Sequence, residues 1–88
     1  MDIEESINRL PEILRHEVRD IAKRFGHREA ICLLQKVLNK MAARAVPVDG
    51  NVCDVTVAAA NIAVNVYGND VIRNLKNALA EYDSSRSN

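Results

Sequence analysis

The spacing of apolar residues in the first 25 positions constrains the fold more than any other feature. These residues recur every three or four positions, at Ile3, Ile7, Leu10, Leu14, Val18, Ile21 and Phe25. Such spacing places all of the side chains on one face of an α-helix. Pro11 lies within the run and cannot donate a backbone hydrogen bond, so the helix either kinks or restarts there, with Asn8 as a suitable cap for a restart. Because the apolar phase is unbroken, both halves are predicted to face one core.

Three further helices are predicted from the periodic spacing of apolar residues and from the glycine and proline residues that mark helix ends. Gly26 ends the first helix, and the loop VPVDGN at 46–51 combines a proline with an Asp-Gly turn pair. Gly68 suits a helix end, and Asn69 suits the cap of the helix that follows. Valine is frequent over 54–67 and would also fit a strand, but the alanines there favour a helix.

The resulting prediction is an all-α fold, a compact four-helix bundle. Its helices cover about 2–25, 27–45, 54–67 and 70–82, within a single domain of residues 1–83 and a polar tail of residues 84–88 that frays. The helix at 54–67 is apolar over most of its circumference. We therefore expect it to be the central and most buried element.

Two asparagines interrupt that apolar helix. Asn61 and Asn65 are four residues apart and project in nearly the same direction. Three interpretations remain open: a solvent-exposed edge, a polar pair that fixes the register between helices or between two copies of the chain, and a ligand site. A buried asparagine needs hydrogen-bond partners or costs about 1–3 kcal/mol.

Composition narrows the class of protein. A chain of 88 residues with three aromatic side chains has little material for a large ligand pocket, and we expect no cofactor. No apolar run is long enough for a membrane span, and the acidic start MDIEESINRL does not resemble a secretory signal. A cytoplasmic protein with no membrane association is the expectation.

Self-association is predicted because four short helices leave part of an apolar surface uncovered. The expected contacts of a homo-oligomer, most simply a two-fold dimer, are Ile3, Ile7, Val55, Ile62 and Val66. We expect the N-terminal pair to contribute most, since a short segment ahead of a proline can reach a neighbouring copy.

Basic residues are unevenly distributed although the net charge is zero. Residues 9–44 hold nine Lys or Arg against four acidic residues, and six of the nine form two rows at helical spacing: Arg15, Arg19 and Lys23, then Lys36, Lys40 and Arg44. A nucleic-acid surface has this pattern, and so do two ordinary solvated helix faces. No aromatic residue accompanies the rows for base stacking.

Signs of catalysis are weak. His16, His27, Cys32 and Cys53 lack the spacing of a zinc site, so no metal is expected. Cys53 precedes a helix, where the dipole can activate a thiol, and a cysteine-dependent enzyme is therefore kept as a third hypothesis.

The leading functional hypothesis is a non-enzymatic interaction protein that forms a homo-oligomer and binds another macromolecule. A nucleic-acid-binding protein is the alternative. Small helical proteins with balanced charge and no motif are common among phage and plasmid accessory proteins, a comparison of class that rests on no particular residue.

Overall fold

Over the residues that the structure describes, the fold consists of five α-helices. The computed structural model describes the backbone of residues 3–42 and 45–86 and the side chains of residues 5–42 and 45–84. The helices are α1 (Ile3–Asn8), α2 (Glu12–Phe25), α3 (His27–Met41), α4 (Asp54–Tyr67) and α5 (Asp70–Arg86), and the described ranges contain no strand. The radius of gyration, 11.8 Å, agrees with about 12 Å for a compact chain of this length. The all-α class is confirmed, but the described ranges contain five helices where four were predicted.

The extra helix arises at Pro11, where the chain restarts. Pro11 precedes α2 with an extended ψ of 145°, and its carbonyl accepts from the backbone N–H of Leu14 at 2.9 Å. The prediction that Asn8 caps the restarted helix is wrong, because Asn8 is the last residue of α1. Its side-chain oxygen instead accepts a hydrogen bond from Arg19 Nη2 at 2.6 Å. Ile7 is fully buried, so both halves do share a core.

The central element is α3, which packs against α2, α4 and α5. Seven of its residues are buried: Ala30, Ile31, Leu33, Leu34, Gln35, Val37 and Leu38. Only four are buried in α4, namely Thr56, Ala59, Ala60 and Ala63. The prediction that 54–67 is the most buried helix is therefore wrong. Its alanine face packs inward, because alanine permits close approach, whereas Val55, Ile62 and Val66 remain exposed.

Helix ends also differ from the predicted bounds. Met41 is the last residue of α3, four residues before the predicted end. The last helix continues to Arg86, so residues 84–86 of the predicted frayed tail are helical. Tyr82 helps to hold this end, because its ring meets Phe25 edge-on at 5.3 Å and its hydroxyl donates to Glu29 Oε2 at 2.7 Å.

Candidate interaction surfaces

The outward side of α4 exposes large apolar residues along one line. Val55, Ile62 and Val66 are 42 %, 38 % and 67 % exposed. At 100° per residue their directions lie within about 40° of one another, so they form a single stripe. No charged residue occurs between positions 55 and 67. We call Val55, Ile62 and Val66 the α4 stripe; all three side chains are exposed in the single chain.

The two asparagines border this stripe. Asn61 and Asn65 are both exposed, which fits the interpretation of a solvent edge within one chain. Neither amide pairs with another helix among the described side chains, so they do not fix the register of the bundle. Their pairing between two copies stays a prediction.

The N-terminal contacts do not form an exposed surface. Ile7 is 0 % exposed and belongs to the core of its own chain, where the amphipathic phase shared by α1 and α2 places it. It is therefore unavailable to a neighbouring copy in this fold, contrary to the expectation. The side chain of Ile3 lies outside the described residues.

The basic rows have two different environments. Arg15 Nε donates to Leu10 O at 2.8 Å and Arg19 donates to Asn8, so both arginines hold the end of α1 against α2. Lys23, Lys36 and Lys40 are exposed. Arg44 lies outside the described residues. Because two of the six cations have structural contacts, the first row is less available to phosphates than the sequence indicates.

Cys53 lies immediately before α4 and is partly buried. Its sulfur is 3.4 Å from the Thr56 hydroxyl, and the hydrogen bond from this hydroxyl lowers the pKa of the thiol, assisted by the backbone N–H of Thr56. On α2, His16 Nε2 lies 3.6 Å from Asp20 Oδ2. Among the described residues no three His, Cys, Asp or Glu side chains are grouped so that they could hold a metal. A cysteine-dependent activity stays a hypothesis.

Gln35 forms a polar centre that the sequence reading missed. Its side chain is 0 % exposed on α3, yet it makes five hydrogen bonds. Its amide nitrogen donates to Asn51 O at 2.8 Å, and also to Asp49 Oδ1 and Thr56 Oγ1, both at 3.2 Å. Its amide oxygen accepts from the N–H groups of Asp49 and Gly50 at 3.0 and 3.1 Å. A signal was available: position 35 lies four residues after Ile31, inside the apolar face.

Asn39 repeats this role one turn later. Its side-chain oxygen accepts from Val46 N at 2.7 Å and its nitrogen donates to Val46 O at 2.8 Å. Gln35 and Asn39 together fasten the α3–α4 loop, residues 45–53, to the central helix. The loop needs these partners, because its backbone groups have no regular secondary structure to satisfy them. The α3 helix therefore positions both the loop and the start of α4.

Asp49 is expected to make the stability of this loop depend on pH. Its carboxylate accepts from Asn51 N–H at 2.9 Å, which is the main cause of a pKa below the usual 3.8, and the Gln35 amide adds to the effect. A lowered pKa in the folded state means that the stabilisation is present above about pH 4 and is lost as pH falls through the folded value. We expect Asp49→Asn to destabilise the protein more at about pH 6 than at about pH 3 in urea unfolding.

The matched control is Glu81→Gln, which removes an exposed carboxylate outside the loop. An Asp49→Asn effect of the same size at both pH values would show that the Asp49 charge does not stabilise the loop.

No protein family, curated protein or solved structure matches the chain. Within the described ranges, no helix combines the length and apolar character needed to cross a membrane.

Proposed function

We propose that this chain is a non-enzymatic interaction protein that forms a homodimer through α4 and acts by binding another macromolecule. The observation that carries the proposal is the α4 stripe, whose three large apolar side chains face solvent in a single chain. A soluble chain of this size buries a limited share of its surface and gains stability when an exposed apolar face is covered.

A second copy of the same chain is the partner that fits this surface most simply. The outward face of α4 has no charge after Asp54, so two identical faces meet without electrostatic repulsion. Ala58 lies partly exposed beside the stripe, and a small side chain lets two helices approach closely. Each asparagine amide carries both donors and acceptors, so Asn61 and Asn65 can pair reciprocally across a two-fold axis.

One helix per subunit gives an interface at the small end of the known range, so the dimer is expected to dissociate on dilution. The first test is Ile62→Lys combined with Val66→Lys. These side chains are exposed in the monomer, so charge there leaves the bundle folded but opposes burial of α4 against a second copy. We expect sedimentation velocity to show monomer at concentrations where the original sequence is dimeric.

Val48→Lys is the matched control, since Val48 is 43 % exposed, close to the 42 % of Val55, but lies in the loop. It is expected to leave the dimer intact. Equal loss of dimer in the loop variant and the α4 variant, with circular dichroism unchanged in both, would argue against α4 as the interface.

A further inference from the structure

A second surface lies between α3 and α5, separate from the α4 stripe. The groove between α3 and α5 encloses about 670 Å³ and is open along one side. Its apolar lining comes from Leu33, Val37 and Met41 on α3 and from Ala78 on α5. From position 33 to position 41 the helix rises about 12 Å, which corresponds to two turns of a helix laid alongside.

The two rims of this groove differ in charge. Lys36 and Lys40 stand one helical turn apart on the α3 rim, and both are exposed. Neither lysine forms an ion pair with a described residue. The α5 rim carries the exposed amides of Asn74 and Asn77, with the carboxylate of Glu81 at one end. The α3 rim is therefore positive, and most of the facing rim is neutral and polar.

On the basis of the interaction role above, we propose that this groove binds an acidic amphipathic helix of a partner protein. The apolar face of the partner lies on Met41 and Ala78, which are partly exposed, over the buried floor that Leu33 and Val37 form. Its carboxylates face Lys36 and Lys40. Helix-in-groove recognition uses apolar anchors at positions i, i+3 or i+4, and i+7, and that span matches the length of this groove. The lysines select the charge and the orientation of the partner rather than supplying most of the affinity.

Nucleic acid fits the same surface less well. A phosphate backbone is bound by several cations in a row, and this rim offers two. Single-stranded bases require aromatic platforms, whereas the floor here is aliphatic apart from Tyr82 at one side, whose hydroxyl already contacts Glu29. An apolar floor would also gain nothing from contact with phosphates.

The test uses synthetic helical peptides of about sixteen residues, with leucine or methionine at the three anchor positions and glutamate beside them. A second set carries lysine in place of glutamate. Fluorescence anisotropy measures binding to the original protein and to Lys36→Glu combined with Lys40→Glu. We expect the acidic peptides to bind the original protein, and the charge reversal to weaken them about tenfold and to favour the basic set instead.

Lys23→Glu combined with Lys76→Glu is the control, because both lysines are exposed and neither lines the groove. This control is expected to keep the preference for acidic peptides. Backbone amide shifts in NMR are expected to change on α3 and α5 and not at the α4 stripe.

Acidic peptides that bind equally well after charge reversal, or that show no binding at millimolar concentration, would overturn the proposal. Binding of duplex DNA that depends on Lys36 and Lys40, without peptide binding, would replace it with a polyanion site. Repeating the titration with the Ile62→Lys, Val66→Lys variant separates the two surfaces. Groove binding that persists there leaves this inference standing even if dimerisation through α4 is refuted.

Discussion

Replacing Leu34 by alanine is expected to lower the free energy of unfolding by about 3–4 kcal/mol. Leu34 is 0 % exposed in the middle of α3, the helix that contacts α2, α4 and α5. Truncation there removes apolar contacts and leaves a cavity that three neighbouring helices cannot all close. Urea unfolding followed by circular dichroism measures the change, with constant slope as the sign that only stability has altered.

Leu79→Ala serves as its control, because Leu79 is only partly buried on α5 and undergoes the same chemical change. We expect a loss of about half the size or less. A cost below about 1 kcal/mol for Leu34→Ala would mean that α3 is not the centre of the fold.

The second large effect is expected from Gln35→Met. Methionine has nearly the same shape but no hydrogen-bonding amide, so Asp49 N–H and Gly50 N–H lose their acceptor, and Asn51 O loses its donor. Several lost bonds at a buried position correspond to about 3 kcal/mol of stability. Urea unfolding measures this loss, and hydrogen exchange is expected to accelerate first in the loop.

Lys36→Met is the control, because it introduces the same methionine at the next position, which is exposed. It is expected to change stability by less than about 0.5 kcal/mol. If Gln35→Met were equally mild and the loop amides kept their protection from exchange, the polar centre would not be what holds the loop.

Local chemistry in the sequence was sufficient to predict the all-α class and the approximate positions of the helices, but not their number. Residues spaced by three and four placed α1 and α2 on a common core, and Leu10 and Leu14 are indeed buried. Pro11 marked the place of a kink or a restart and Gly68 marked a helix end, because proline restricts the backbone and glycine extends its range. These signals act within one or two turns, which is why they could be read without tertiary information.

The orientation of α4 could not be obtained in the same way. Alanine and valine side chains occupy most faces of this helix, so hydropathy did not indicate which face is buried. The close packing of α4 against α3 and α5 determines the buried face. Ala60 and Ala63 fit the narrow space between these helices and are fully buried, whereas Val66 is exposed. Ile7 was misplaced for a related reason, since its burial depends on how α1, ahead of Pro11, packs against α2.

The polar centre at Gln35 depends on contacts over a longer separation. Its partners lie 14–21 positions later in the chain, in a loop whose path periodicity does not specify. A glutamine within the apolar face of α3 indicated that a buried partner was required, but not which one. The sequence thus contained the signal for a buried amide and lacked the geometry of the loop.

The mass of the unmodified protein in solution is the most direct test of an α4 homodimer. Sedimentation equilibrium over a concentration range from about 1 µM to several hundred µM covers the regime expected for a small interface. We expect a mass that rises with concentration to twice the chain mass of 9.8 kDa and then stays constant. A mass that remained at 9.8 kDa over the whole range would contradict the homodimer, and the α4 stripe would then be an exposed face of a monomer.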